Sequence, residues 1–114
     1  MTSRPARASL AAMILDHAYT ITDEDAVARL HCLAAYWQAK HGVKARWEGN
    51  DAHFDGKVMG VSFAGKVVIG NGRVHADVKA GFLAEKLGAK AYVQRKLTDY
   101  LDPAKTVEEL RARV

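Results

Sequence analysis

Hydrophobic and polar positions follow two different periods along this chain. From Val27 to Trp37 apolar residues recur every three or four positions, which predicts a helix with one buried face. Thr22 stands before this stretch as an N-cap, with acidic residues in the first turn, and Gly42 follows as a left-handed stop. The pattern therefore predicts a helix over residues 23–41.

Beyond this helix the period changes to two, which is typical of strands with one buried face. Apolar residues occupy alternate positions as far as Ala80, and we expect a bend or bulge at Ala64-Gly65, where the longest strand is interrupted. Residues Ile14 to Ile21 favour a short additional edge strand. Three dipeptides favour tight turns: Gly49-Asn50, Asp55-Gly56 and Asn71-Gly72.

These turns fix a register for the predicted sheet. If each is a two-residue turn, Trp47 faces Ala52, Ala52 faces Met59 and Ile69 faces Val74. All the apolar sets then fall on one face. The sequence therefore predicts an antiparallel meander of four strands, or five with the N-terminal strand.

The last third of the chain favours helices. Residues 82–101 carry a broad apolar stripe and predict a second long helix, bent near Gly88. Asp102-Pro103 ends it, and a short amphipathic helix follows. We therefore predict an α+β fold with two long helices on one sheet face and a short C-terminal helix. The predicted boundaries are a loose basic arm (1–11), one domain (12–102) and the short helix (103–114).

Composition narrows the class of protein. With 114 residues, 49% hydrophobic and 26% charged, the chain has the size and balance of one globular domain. Its single cysteine, Cys32, excludes an internal disulfide and favours a reducing compartment. No apolar run approaches the ~18 residues of a membrane span, so we expect a cytoplasmic protein. The net charge of +4 comes mostly from the terminal segments.

Two His-x-Asp pairs are candidates for metal binding, His53 with Asp55 and His75 with Asp77. In the predicted register, His53 and His75 face the same long strand ten positions apart, or roughly 30 Å at ~3.3 Å per residue. We therefore expect no joint site. Lys44 opposite Asp55 and Lys66 opposite Asp77 are expected to form ordinary cross-strand charge pairs.

No other pattern indicates catalysis. His31 and Cys32 are adjacent in the first helix and point about 100° apart, so they do not form a natural catalytic pair. Glycines separate strands and do not build a phosphate-binding loop. The sequence therefore predicts a protein without metal or cofactor and without enzymatic activity.

Several stretches resemble a small bacterial family, the putative polyhydroxyalkanoic acid system proteins, whose genes lie near those of polyester storage granules. The similarity covers about Ile14 to Leu101. It rests on the His17 region, Ala26-Val27-Ala28-Arg29-Leu30, Arg46-Trp47-Glu48-Gly49, the hairpin from Val61 to Val78, and Gly81-Phe82-Leu83. The resemblance implies a role with these granules, but no catalytic residues.

Our first hypothesis is a non-enzymatic accessory or binding protein of polyhydroxyalkanoate granules. Its candidate contacts with a granule surface or granule protein are Lys86, Lys90, Val107, Leu110 and Val114. Alternatively, the tail residues Val107, Leu110 and Val114 cover the end of the core or form a homodimer contact.

Two other hypotheses remain. A small apolar-ligand carrier would use a cavity between the sheet and the second long helix, with Trp37, Trp47, Phe63 and Leu87 as candidate lining residues. Alternatively, Trp37, Trp47 and Phe63 fill that space. Nucleic-acid binding is the least favoured, because the outward sheet face mixes both signs of charge and has no aromatic residue.

Overall fold

The computed structural model describes residues 10–58, 60–81 and 88–114, the side chains of residues 10 and 11 excepted. Five strands form one antiparallel sheet in the order β1-β5-β4-β3-β2. The predicted α+β fold is confirmed, with five strands. The elements are β1 (Leu10–Ala18), α1 (Asp23–His41), β2 (Lys44–Glu48), β3 (Asp51–Val58), β4 (Val61–Gly70), β5 (Arg73–Gly81), α2 (Ala89–Tyr100) and α3 (Val107–Arg111).

Helix α1 has the bounds and caps that the sequence predicts. The Thr22 Oγ1 accepts a hydrogen bond from the Asp25 backbone N–H at 3.1 Å. Gly42 ends the helix with φ 71°, in the left-handed region that glycine adopts without a steric penalty. Strand β1 is the predicted edge strand, but it begins at Leu10 and pairs along its whole length with β5.

The predicted register is confirmed at two turns and wrong at the third. Trp47 pairs with Ala52 across the first turn, and Ile69 pairs with Val74 across Asn71-Gly72. Asp55-Gly56, in contrast, is not a turn, because β3 continues through it to Val58.

The true partner of Ala52 is Val67, eight positions beyond the predicted Met59. Gly56 is explained by close packing and not by a turn. A Cβ on Gly56 would lie 3.1 Å from the Cα of Val43, a tighter contact than most Cβ atoms make, so the glycine favours this close approach of the two backbones.

The expected bulge at Ala64-Gly65 is not formed. Gly65 pairs with Phe54 on one side and Val78 on the other in an uninterrupted ladder. A Cβ there would lie 3.0 Å from the carbonyl oxygen of Asp77. This glycine also reflects close packing between neighbouring strands.

The second long helix is shorter in the structure than the predicted 82–101. Helix α2 begins at Ala89 after Gly88, whose φ is 73°. Residues 82–87 of the predicted helix lie outside the described residues. The short helix α3 is confirmed, with a reciprocal capping box between Thr106 and Glu109.

A buried arginine joins the three helices. Arg29 of α1 is 3% exposed, and its guanidinium donates to the backbone carbonyls of Tyr100 at 3.2 Å, Asp102 at 2.6 Å and Lys105. These carbonyls belong to the end of α2 and the turn before α3, where helical acceptors lack intrahelical partners. Its Nε lies 3.4 Å from a carboxylate oxygen of Asp25. Arg29 thereby fixes the end of α2 and the start of α3 to the middle of α1.

We expect Arg29→Met to lower the free energy of unfolding by about 3 kcal/mol, because it leaves buried carbonyls without donors. Urea denaturation measures this change. Arg73→Met is the matched control, since Arg73 is exposed and its ion pair with Asp16 lies on the sheet surface. Equal shifts of the two midpoints would contradict the role assigned to Arg29.

Gly56→Ala should destabilise the protein by about 1–3 kcal/mol, because its Cβ would press on the Val43 backbone. Gly70→Ala provides the comparison on the neighbouring strand β4. A Cβ there meets nothing within 4 Å, so we expect an unchanged or slightly higher stability. Thermal unfolding gives the melting temperatures of both variants. An unchanged melting temperature for Gly56→Ala would contradict the close approach of Gly56 to Val43.

Candidate ligand-binding groove

An apolar groove lies between the inner face of the sheet and helices α1 and α2. Its volume is about 530 Å³, in the range of sites that hold one small organic molecule. Strand alternation builds its floor, since residues at every second position of β4 and β5 point inward. Ala76 and Ala80 are among these buried floor residues, and their small side chains leave space above them.

Three of the four predicted lining residues are on the groove wall. Trp37, Trp47 and Phe63 line it and remain half-buried, while Leu87 lies outside the described residues. The aromatic side chains therefore border the space and leave a volume open between them.

Aromatic contacts organise this wall. The Trp37 Nε1–H donates to the Tyr92 hydroxyl at 3.1 Å, which links α1 to α2. The ring of Phe54 meets Trp37 edge-on, with centroids 6.1 Å apart, and Trp47 at 6.5 Å. Such edge-to-face pairs stabilise a fixed arrangement of rings. The wall is therefore preformed from two helices and two strands.

The mouth of the groove is cationic. Of the described lining residues, only Lys40 and Arg95 are exposed, while His41 and Lys96 are half-buried. The ammonium of Lys96 lies 4.5 Å from the ring centroid of Tyr36, a cation–π geometry. No aspartate or glutamate is among the described lining residues. The groove thus combines an apolar interior with a positive opening.

Sequence reasoning did not select these four basic residues or Tyr92. Tyr92 and Lys96 lie four positions apart on α2, a spacing that places both on one helix face. This spacing could have indicated that Tyr92 and Lys96 act together. It does not show which face of α2 covers the groove.

His31 and Cys32 lie outside this groove, against a smaller depression between α1 and α3. The His31 ring stacks on Trp47 with centroids 3.7 Å apart, and its partial burial lowers the pKa of the imidazole. Burial raises the pKa of the Cys32 thiol, which disfavours the reactive thiolate. The geometry gives this pair no catalytic arrangement.

The two His-x-Asp pairs lie on the outer sheet face, and their predicted separation is wrong. His53 pairs with Lys66 and His75 with Val68, so the two histidines face β4 only two positions apart. Each histidine pairs with a carboxylate outside its own His-x-Asp motif: His53 lies 3.5 Å from Glu48, and His75 lies 3.8 Å from Asp16. Within the described ranges, no three potential ligands come together as a metal site.

The predicted cross-strand charge pairs have the expected register. Lys44 lies opposite Asp55, and Lys66 opposite Asp77. At the sheet edge the Arg73 guanidinium binds Asp16 and lowers the pKa of that carboxyl. The outer face is thus a mixture of both charges.

The candidate tail contacts differ in exposure. Leu110 is completely buried in the core, and Val107 packs half-buried against it, whereas Val114 is 62% exposed. Lys90 is exposed at the start of α2, and Lys86 lies outside the described residues. Leu110 therefore serves the core, as the alternative interpretation of the tail expects.

Ion pairs hold the tail in place. Asp99 of α2 binds Lys105 and Arg113, which lie on either side of α3. Hydrogen bonds from Arg113 chiefly, and also from Lys105, lower the pKa of Asp99 to about 2. This carboxylate therefore stays charged over the ordinary pH range and keeps α3 against α2. Among the described helices, none is long and apolar enough to cross a membrane.

Fold and groove together define a small α+β protein with an open apolar groove between its sheet and helices. The sequence profile of a family described as "Putative polyhydroxyalkanoic acid system protein" matches residues 14–104. The chain belongs to this family, and the resemblance drawn from the sequence is confirmed. Neither the curated proteins nor the solved structures contain a match.

Proposed function

We propose that this protein is a non-enzymatic, cytoplasmic accessory protein of the polyhydroxyalkanoate storage system that binds an acyl chain in its groove. Family membership supports the link to the storage system. The observation that carries the binding function is the preformed groove of about 530 Å³ with half-buried aromatic walls. Apolar surface left open inside a domain of this size is typical of a ligand site.

The composition of the wall supports binding without turnover. The described lining contains no carboxylate, thiol or aliphatic hydroxyl side chain. Hydrolysis or acyl transfer commonly needs such a group as nucleophile or general base. His41 is the one imidazole among the described lining residues, and it lies with the basic residues of the mouth.

Binding can be followed with the tryptophans of the protein, because both line the groove. We expect saturable binding of methyl β-hydroxydecanoate, an uncharged ester, with a change in tryptophan fluorescence. Ala89→Phe should weaken this binding at least about tenfold, because Ala89 lines the groove and a phenyl ring would occupy it.

Ala91→Phe is the matched control on the same helix. Ala91 is exposed and is not a groove residue, so its variant should bind like the unaltered protein. Circular dichroism of both variants checks the fold. Absence of saturable binding, or equal affinity of the two variants, would refute binding in this groove.

Attachment to the granule is the finer part of the proposal and has a separate test. The family link leads us to expect saturable co-sedimentation with isolated polyhydroxyalkanoate granules. Of the tail and α2 candidates, Lys90 and Val114 are exposed, so the double variant Lys90→Glu, Val114→Asp should bind more weakly.

Point variants are preferable here to removal of the tail. A chain ending at Asp102 would lose Leu110 from the core and the Lys105 carbonyl that Arg29 binds. Intact protein that stays in the supernatant at every concentration would exclude granule attachment. It would leave acyl binding untouched, because that is measured with a dissolved ligand.

A further inference from the structure

We infer that the ligand of the groove is an acyl carboxylate in monomeric form, with its chain inside and its carboxylate at the basic mouth. This inference rests on the proposed binding function and adds the charge of the ligand. It follows from where the charged side chains of the lining lie.

Exposure and charge coincide along the groove. The two described lining residues that are exposed, Lys40 and Arg95, are both cations, and every other described lining residue is half-buried or buried. The part of the groove lining that is most exposed to water is therefore positively charged. A ligand that places its polar end in water would place it next to these side chains.

The position of Lys96 supports the same orientation. Its ammonium lies 4.5 Å from the Tyr36 ring centroid and 5.9 Å from that of Tyr92, between α1 and α2. Lys40 follows Tyr36 by one helical turn, about 6 Å along α1. Both cations therefore approach the mouth from opposite helices.

The cations of the mouth have no competing anion in the described structure. Lys40, His41, Arg95 and Lys96 form no salt bridge with a described residue, and the described lining contains no carboxylate. Elsewhere Arg73 and Arg113 each bind an aspartate. The basic side chains of the mouth would attract an anionic head group, whereas they would repel a cationic one.

Long basic side chains can also cover an apolar surface with their methylene stems while the charge stays in water. That role needs the stem and not the charge. Methionine retains most of the stem and lacks the charge, so substitutions to methionine separate the two roles.

The experiment compares β-hydroxydecanoate with its methyl ester by isothermal titration calorimetry, below the micelle concentration and at low salt. The triple variant Lys40→Met, Arg95→Met, Lys96→Met should lose about tenfold in affinity for the carboxylate and little for the ester. Lys79→Met, which removes an exposed charge of β5 outside the groove, should leave both affinities unchanged.

Two measurements on the unaltered protein complete the test. Added salt should weaken carboxylate binding and leave ester binding constant, because it screens exposed charges. Decyltrimethylammonium, which has a chain of the same length and a cationic head, should bind more weakly than the carboxylate.

The outcomes separate the two proposals. The charge assignment would be overturned if the triple variant bound both the ester and the carboxylate more weakly by the same factor. It would also be overturned if the cation bound the unaltered protein as tightly as the carboxylate. Either result would leave acyl binding standing. If neither the ester nor the carboxylate binds the unaltered protein, both proposals fail.

Discussion

The packing of the helices depends on the buried guanidinium of Arg29. Removing an arginine from water is costly unless its donors are satisfied. Here the two terminal nitrogens donate to three backbone carbonyls, whereas Nε, which has no hydrogen-bond partner among the described residues, lies 3.4 Å from the carboxylate of Asp25. Those carbonyls fix the end of α2, while the Trp37–Tyr92 hydrogen bond fixes its earlier turns. The two links start from α1 residues eight positions apart, about 12 Å along the helix. Helix α2 is thereby held along its length, and so is the helical wall of the groove.

The groove lies where two helices of different length face one sheet. At ~3.3 Å per residue the ten residues of β4 extend about 33 Å, whereas at 1.5 Å each the nineteen residues of α1 extend about 28 Å and the twelve of α2 about 18 Å. In the described structure, α2 therefore runs beside only part of the length of β4. Small residues on the floor, such as Ala76 and Ala80, then enlarge the uncovered space. The aromatic rings of the wall border it without closing it.

Local signals in the sequence were sufficient for α1, for the inward face of the sheet and for the turn at Asn71-Gly72, where both central residues have positive φ. The turn at Asp55-Gly56 was mispredicted because close packing against a neighbouring backbone can require a glycine as well as a turn can. That neighbour, Val43, lies in the connection between α1 and β2. The resulting error was eight positions, an even number, so every residue kept its face although its partner changed. This is why the apolar face was correct while the distance between the histidines was not.

The groove residues also differ in whether the sequence could identify them. Trp37, Trp47 and Phe63 could be selected because periodicity shows which residues point inward. Lys40 and Arg95 could not, because an isolated helix pattern assigns exposed cations to solvent. Their position at the mouth depends on how α1 and α2 pack beside the groove, and the sequence pattern of one helix does not contain this tertiary arrangement.

A small domain with an open apolar groove must obtain stability from elsewhere, since that surface stays in contact with water. Polar links at the edges of the fold supply part of it. The Asp23 carboxylate accepts from the Tyr19 hydroxyl and from the backbone N–H groups of Asn71 and Gly72, which joins α1 to the β4–β5 turn. Arg29 joins the end of α2 to α1, and Asp99 joins α2 to the residues on either side of α3. The frame is thus fixed by contacts outside the groove. An acyl chain would then supply the apolar burial that the chain itself leaves incomplete, so binding and folding stability are linked.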